Sequence, residues 1–147
     1  PGFVLGNIGR AKTQGVESFV AWQALDTLNL RADYTYTDAI DDRTNLALLR
    51  RPRHKASLNA GWQATGELLL DATLLYVGPH VDGNRDFSVP RFKKGGEFTA
   101  DFAASYRLTE NFSVFGRLEN AFDNTYQSPD GFLRPGIGGF AGIKANL

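Results

Sequence analysis

The chain contains no cysteine, and this absence excludes a disulfide framework and a thiolate metal site. It also has no surplus of charge, because 16 basic residues balance 16 acidic ones. Binding to nucleic acid or another polyanion is therefore not expected as its main role. No stretch approaches the roughly 20 apolar residues that a membrane-spanning helix needs. The chain has neither a starting Met nor a signal peptide, so we expect a mature, trimmed or partial polypeptide of one domain or less.

What the chain does contain is a two-residue alternation of apolar and polar side chains. From residue 28 to residue 37, Leu, Leu, Ala, Tyr and Tyr alternate with Asn, Arg, Asp, Thr and Thr. A period of two places successive side chains on opposite faces of a strand. The pattern returns in residues 53–64, 96–108 and 111–122, and its polar face carries charge along its length. Strands with an apolar outer face and a wet inner face are typical of a membrane β-barrel.

Seven strands are predicted in all, at residues 15–24, 27–37, 53–64, 67–78, 96–108, 111–122 and 138–147. Each is close to the roughly 9–11 residues that a tilted strand needs to cross a bilayer. Their connections alternate between short turns at 25–27, 65–66 and 109–110 and long polar loops at 39–52, 79–95 and 123–137. This alternation predicts an antiparallel meander with short turns on the periplasmic rim and long loops outside the cell.

The aromatic residues of the apolar face concentrate at the strand ends. Those near the short turns are Trp22, Trp62, Tyr106 and Phe112, and those near the long loops are Tyr34, Tyr36, Tyr76, Phe98 and Phe122. Two belts of amphipathic rings match the two membrane–water interfaces. A soluble β-sandwich or a lipocalin-like barrel would concentrate such rings at mid-strand. On the polar face, Asp101, Arg107, Arg117 and Glu119 predict a cross-strand ladder of charges.

The number of strands predicts that the chain is a segment of a larger barrel. Seven strands place the two chain ends on opposite rims, whereas a complete bacterial barrel has an even number of strands. An eighth strand would have to come from residues 1–9, whose three glycines disfavour it. An unclosed sheet would expose unpaired backbone groups to lipid. We therefore expect further strands before Pro1.

Several segments resemble those of TonB-dependent outer-membrane receptors, in order and at that family's spacing. They are residues 7–17 (NIGRAKTQGVE), 33–39 (DYTYTDA), 48–54 (LLRRPRH), 118–126 (LENAFDNTY) and 131–136 (GFLRPG). Each segment alone is a weak signature, but their occurrence together, in register, is specific. The resemblance covers essentially the whole chain and is greatest to the vitamin B12 (cobalamin) receptor branch.

The resemblance implies an all-β fold in which residues 1–147 form the C-terminal third of a 22-stranded antiparallel barrel, with the N-terminal plug domain absent. It also implies a receptor and transporter of the bacterial outer membrane, surrounded by lipid and lipopolysaccharide. Such a receptor binds a scarce nutrient, cobalamin or a ferric siderophore, on its outer side. Import would use energy from the TonB complex, which would contact the absent N-terminal region. The resemblance implies no cofactor, and no enzymatic activity is expected.

The predicted ligand-binding residues lie in the long loops. Arg50, Arg51 and Arg85 offer directional donors for a phosphate or carboxylate. Tyr126 and Phe132 offer flat apolar surfaces for a corrinoid or an aromatic chelate. For the arginines, an ordinary solvated rim is the alternative explanation.

Other chemistry has little support in the sequence. The only histidines, His54 and His80, lie in separate segments, and a metal site needs several convergent ligands, so no metal site is predicted. No nucleophile–base set, paired catalytic carboxylate or phosphate-binding loop occurs at a useful spacing. Two other functions remain open: a self-contained small outer-membrane barrel with a structural or adhesive role, and a soluble lipocalin-like ligand-binding barrel.

Overall fold

The computed structural model describes residues 9–83 and 88–146, and every regular element in these ranges is a β-strand. The strands are β1 (Ala11–Leu25), β2 (Leu28–Asp41), β3 (His54–Gln63), β4 (Leu68–Val77), β5 (His80–Asp82), β6 (Phe92–Lys94), β7 (Glu97–Arg107), β8 (Phe112–Glu119) and β9 (Gly138–Ala145). Seven of them form one antiparallel sheet in the order β1-β2-β3-β4-β7-β8-β9, and β5 and β6 form a separate hairpin. The predicted all-β antiparallel meander is confirmed.

The pairing register aligns the faces of successive strands, so that mostly apolar residues share one face of the sheet and mostly polar residues share the other. One row of directly opposed residues reads Ala32, Leu58, Leu74 and Ala100, and the neighbouring row on the other face reads Arg31, Asn59, Thr73 and Asp101. A shift of one residue in any pair of strands would mix these rows. We call the two surfaces the apolar face and the polar face.

The sheet has no dry core of its own. Within residues 9–83 and 88–146, the only buried apolar side chains are Ala39 and Ala100. On the apolar face, Val20, Trp22 and Ile143 are 66%, 62% and 74% exposed. A soluble sandwich or lipocalin-like barrel would bury this face against a second layer, so the exposed apolar face argues against both.

The outer strands β1 and β9 each pair on one side only among the described residues, so this segment does not close a barrel. In the part of the chain that the structure describes, no helix is long and apolar enough to cross a membrane, a finding that concerns helical spans alone.

The short turns are held by threonine hydroxyls, as their composition suggests. Between β3 and β4, Thr65 Oγ1 accepts a hydrogen bond from the N–H of Leu68 at 3.1 Å. Between β7 and β8, Thr109 Oγ1 accepts one from the N–H of Phe112, also at 3.1 Å. Each hydroxyl satisfies a donor that the turn would otherwise leave unpaired, which permits a tight connection.

The long-loop ends of the strands differ from the predicted boundaries. β1 begins at Ala11 rather than at residue 15, and β2 continues to Asp41 beyond the predicted end at residue 37. β8 ends at Glu119, three residues before Phe122, and the predicted loop 79–95 contains the hairpin β5–β6. These extensions pair mostly polar residues above the apolar band, where the alternation that marks a strand in the sequence is lost. Residues 1–8 and Leu147 lie outside the described residues.

The charges of the polar face also form different pairs from the predicted ladder. Arg117 pairs with Glu119 of its own strand, with 2.8 Å between Nη2 and Oε1. Asp101 Oδ1 accepts a hydrogen bond from the backbone N–H of Asn120 at 2.8 Å, and Arg107 donates to the Gly66 carbonyl at 2.9 Å. Residues i and i+2 share a face of a strand, so Arg117 reaches Glu119 along β8, whereas Arg107 reaches across to the turn between β3 and β4.

The predicted aromatic belts included Tyr34 and Tyr36, but β2 continues to Asp41, so these two residues lie in the middle part of the strand and not at its end. Eight of the nine predicted belt residues lie in strands of the large sheet, and Phe122 does not. Phe122 follows β8, and its ring stacks on Phe98 with 5.6 Å between centroids. Tyr34 and His54 share a hydrogen bond of 2.8 Å between the phenol oxygen and Nδ1. The ring of Tyr36 lies 5.4 Å from that of His54.

Candidate functional site

A cavity of about 330 Å³ lies where the three long connections meet the end of the sheet. Its lining combines residues of β3, β4, β5 and β7 with residues of the loops 42–53 and 120–137. They are Arg50, Pro52, Lys55, Val77, His80, Asp82, Glu97, Ser128, Pro129 and Arg134. We call it the rim cavity.

The strands supply the floor of the rim cavity from their polar face. Lys55 in β3 lies opposite Val77 in β4, and Val77 lies opposite Glu97 in β7. These positions belong to the polar face because the neighbouring row, Ala56, Tyr76 and Phe98, belongs to the apolar face. Rigid strands hold such side chains more firmly than loops do, which suits a binding site.

Asp82 joins the loops above this floor. Its side chain is fully buried, and Oδ1 accepts hydrogen bonds of 2.8 Å from both Arg50 Nε and the Gly83 N–H. Oδ2 accepts a bond of 3.1 Å from the N–H of Asp130. Arg50 belongs to the loop 42–53 and Asp130 to the loop 120–137, so a single carboxylate connects three loops. We call Asp82 and its three donors the loop junction.

These contacts determine the charge state of Asp82. Burial raises the pKa of the Asp82 carboxyl, but the hydrogen bonds from Arg50, Gly83 and Asp130 outweigh it, so this pKa lies below its ordinary value. The carboxylate is therefore ionised at neutral pH. A charged acceptor with three donors makes stronger hydrogen bonds than a neutral one.

We expect the loop junction to withstand mild acid. The pKa of the Asp82 carboxyl is lower in the folded protein than in the unfolded chain, where it is about 4. The carboxylate therefore contributes its full stabilisation at a pH above the unfolded-state pKa, and this contribution declines as the pH falls through the folded-state pKa. Amide hydrogen exchange at Gly83 and Asp130 in the full-length protein, corrected for intrinsic rates, should show equal protection at pH 7 and pH 5. Exchange at Leu58 in mid-sheet provides the reference. Loss of protection at the two loop amides between these pH values would mean that the Asp82 pKa is raised.

The rim cavity carries more positive than negative charge. Its two carboxylates are both paired, Asp82 with Arg50 and Glu97 with Lys94, at 2.8 Å in each case. No ion pair is formed by Lys55 or Arg134 with the residues that the structure describes. The imidazole of His80 adds a further polar group, with Nδ1 lying 3.2 Å from the Gly78 carbonyl oxygen. The arrangement suits an anionic or oxygen-rich ligand.

The segment after β8 folds around Asn120, which is almost fully buried and has a positive φ of 47°. Its Nδ2 donates to the carbonyls of Asn124 and Pro135 at 3.0 and 3.3 Å, and its Oδ1 accepts from the Asn124 N–H at 3.1 Å. Asn tolerates a left-handed backbone better than most residues do. This side chain thus closes the loop that carries Asp130 and Arg134.

The predicted ligand residues occupy different positions around this site. Arg50 lines the rim cavity, while Arg51 is exposed outside its lining and donates to the Arg50 carbonyl at 3.4 Å. The Tyr126 carbonyl accepts a hydrogen bond of 2.9 Å from the Arg134 N–H. Phe132 lies in the same loop, residues 120–137, and is 53% exposed. Arg85 lies outside the described residues.

Sequence reasoning did not select Lys55, Asp82 or Arg134 as ligand-site residues, and it considered His80 only as a metal ligand. The alternation of β3 already placed Lys55 on the polar face next to a long loop, which was the available signal. No local signal marked Asp82, and Arg134 was noted only as part of the segment 131–136 that resembles the receptor family. The placement of both residues at the cavity depends on contacts between loops far apart in sequence.

A larger depression, of about 810 Å³, lies on the sheet away from the loops. Its walls are mainly apolar and small, with Ala60, Ala72, Ala104 and Ala141 among them. Asp71 and Arg117 are the charged residues of its lining. Within residues 9–83 and 88–146, no group of three or more His, Asp or Glu side chains could hold a metal ion.

Comparison with protein families gives a match over residues 1–121 to the family described as TonB-dependent receptor-like, β-barrel. The chain belongs to the TonB-dependent receptor family. A curated relative, the vitamin B12 transporter BtuB of Photobacterium profundum, is 35% identical over 121 residues. That match covers 82% of this chain but 19% of the relative. The chain thus spans about a fifth of the length of this receptor.

Solved structures of TonB-dependent receptors share the fold. A mutant of the ferric enterobactin receptor of Pseudomonas aeruginosa matches with a TM-score of 0.77 and 23% identity, covering 95% of this chain and 23% of that one. The ferripyoverdine receptor of the outer membrane of the same organism, bound to ferripyoverdine, matches with a TM-score of 0.78 and 20% identity. It covers 92% of this chain and 19% of that one. The sheet is therefore part of the receptor barrel, as the sequence predicted.

Proposed function

We propose that this chain forms the wall and part of the outer rim of an outer-membrane receptor that binds a scarce nutrient and imports it. The observation that supports this most directly is the rim cavity, in which Lys55 and Arg134 lack ion-pair partners among the described residues. Unpaired cations in a polar concavity attract anionic groups, and Arg adds bidentate donors for carboxylate or phosphate. The nutrient would reach this cavity from the long-loop side.

The nature of the relatives supports a nutrient ligand. One is a vitamin B12 transporter, and others are receptors for ferric enterobactin and ferripyoverdine. Cobalamin carries a phosphodiester, and ferric siderophores expose anionic oxygens, so both classes fit a cavity with more positive than negative charge. Tyr126 and Phe132 keep their proposed role as flat apolar contacts for such a ligand.

The remaining parts of the proposal concern the surroundings of the chain. Residues 1–147 form the C-terminal portion of the barrel, and the plug domain is contributed by another part of the protein. The apolar face lies against outer-membrane lipid, and the long-loop rim lies against lipopolysaccharide. TonB-derived energy enters through the N-terminal region of the complete receptor. Exposed apolar side chains between two aromatic belts support the placement in the membrane.

Charge removal in the rim cavity tests the binding site. In the full-length receptor, Lys55→Ala and Arg134→Ala should each weaken equilibrium binding of the transported nutrient by about 1 kcal/mol or more, because each removes a cation that faces the ligand. Cyanocobalamin, ferric enterobactin and ferripyoverdine serve as the probes. Arg51→Ala removes the same charge from an exposed position outside the cavity lining and should change affinity less.

The salt dependence provides a second readout. The wild-type receptor should bind more weakly as ionic strength rises, and both cavity variants should show a smaller dependence. Unchanged affinity in both variants would place the nutrient elsewhere in the receptor and leave this segment as barrel wall.

A further inference from the structure

The loop junction connects parts of the chain that are far apart in sequence. Asp82 is 32 residues from Arg50 and 48 residues from Asp130, yet it accepts a hydrogen bond from each. Its two oxygens serve different loops: Oδ1 accepts from Arg50 and Gly83, and Oδ2 accepts from Asp130. A carboxylate accepts hydrogen bonds on both oxygens, whereas an amide of the same shape offers one acceptor and one donor group.

Arg50 is held in a defined position by these contacts. Its φ of 60° lies in the left-handed region, which is uncommon for residues other than glycine. Its backbone N–H donates to the Val81 carbonyl at 2.7 Å, and its Nε donates to Asp82. Half of the Arg50 side chain remains exposed, and it lines the rim cavity. The backbone and side chain of Arg50 thus both depend on strand β5.

We infer that Asp82 is a positioning residue, which holds the three long loops together as one unit and presents the guanidinium of Arg50 to the rim cavity. The effect of this positioning on ligand binding rests on the proposed function, since the cavity matters only if a ligand binds there. The junction itself can be tested without any ligand. Asp82 contacts backbone and Arg50, and it acts on a ligand only through them.

Hydrogen exchange of the full-length receptor in the absence of ligand tests the joining of the loops. Asp82→Asn should raise amide exchange in both residues 42–53 and residues 120–137, because the amide cannot accept from all three donors. Asp38→Asn is the matched control. Asp38 is a partly exposed carboxylate of β2 that pairs with Arg53 at 2.9 Å and does not line the cavity, so exchange in residues 120–137 should not change. An increase confined to residues next to position 82 would overturn the inference.

Arg50→Lys is a second variant that keeps the charge but removes the Nε donor. It should raise exchange in residues 42–53 and leave residues 120–137 protected, because the bond from Asp130 to Oδ2 remains. This variant decides the question if Asp82→Asn fails to reach the membrane. Unchanged exchange in residues 42–53 would contradict a positioning role for the pair.

The chemical reactivity of Arg50 distinguishes a positioning role of Asp82 from a purely structural one, because a purely structural role would leave that reactivity unchanged. Phenylglyoxal modifies arginine, and the exposed neighbour Arg51 serves as an internal standard in the same peptide region. The modification rate of Arg50 relative to Arg51 should rise about tenfold in Asp82→Asn, as expected when a charge-assisted hydrogen bond is lost. An unchanged ratio would show that Asp82 does not hold the guanidinium.

Binding measurements distinguish a failure of the positioning role of Asp82 from a failure of the proposed receptor function. If the inference and the proposed function both hold, Asp82→Asn weakens binding of the nutrient that the wild-type receptor recognises by about tenfold, and Asp38→Asn does not. If the wild-type receptor binds none of cyanocobalamin, ferric enterobactin and ferripyoverdine, the proposed function fails for these probes, while exchange and Arg50 reactivity still decide the inference. Unchanged affinity in Asp82→Asn together with loosened loops would overturn the link between the junction and the cavity.

Discussion

Replacing Leu58 by Arg should destabilise the full-length receptor by about 2–4 kcal/mol, the range found for arginine on the lipid face near the middle of a membrane barrel. Leu58 lies at the centre of β3, between Ala32 and Leu74 on the apolar face, and 43% of it is exposed. If lipid covers this face, a guanidinium there must leave water or distort the bilayer. The free energy of unfolding of the receptor in lipid vesicles is measured by titration with the denaturant guanidinium chloride, followed by tryptophan fluorescence. The difference between wild type and variant gives the destabilisation.

Ser57→Arg is the matched control for this experiment. Ser57 is adjacent to Leu58 at nearly the same depth, but it lies on the polar face opposite Asp33. Arginine there remains hydrated and finds a carboxylate nearby, so the change in unfolding free energy should stay within about 0.5 kcal/mol, as for most exposed substitutions. Similar losses in the two variants would mean that both faces are packed against protein, and the membrane placement would be wrong.

Replacing Asn120 by Ala should also destabilise the receptor by about 2–4 kcal/mol, for a different reason. The substitution removes three side-chain hydrogen bonds that the buried Asn120 makes to Asn124 and Pro135, and it places alanine at a φ of 47°. The same unfolding titration measures the loss.

Two further variants divide this effect into its causes. Asn120→Gly tolerates the positive φ and should recover about 1 kcal/mol of the loss, while the hydrogen bonds stay absent. Asn111→Ala changes an exposed asparagine in the short turn between β7 and β8 and should alter stability little. If Asn111→Ala cost as much as Asn120→Ala, the importance of Asn120 would not come from its contacts in the loop.

The segment around Asn120 shows what a sequence motif can predict and what it cannot. The order Leu-Glu-Asn-Ala-Phe-Asp-Asn resembles a family signature, and the resemblance correctly placed it at the end of the penultimate strand. The signature did not say why an asparagine stands there. The structure supplies the reason: a left-handed residue is needed where β8 ends, and its amide must close the loop that follows.

The charged residues of the polar face show where a pattern misleads. Their alternation correctly placed Arg117 and Glu119 on one face, but spacing in sequence did not reveal which partner each would choose. Arg117 reaches Glu119 along its own strand, and Asp101 accepts from a backbone N–H. Long side chains select among several partners within reach, and that choice depends on the register and twist of the whole sheet.

The sequence by itself determined the seven strands of the large sheet, their antiparallel order and the two faces. These features follow from local physics, because the two-residue period assigns each side chain to a face and the short turns fold each strand back on the one before it. Only the tertiary structure decided the rim cavity and the loop junction. Lys55, Asp82 and Arg134 come together through loops whose relative placement depends on hydrogen bonds spanning tens of residues, and no local pattern in the chain encodes such contacts.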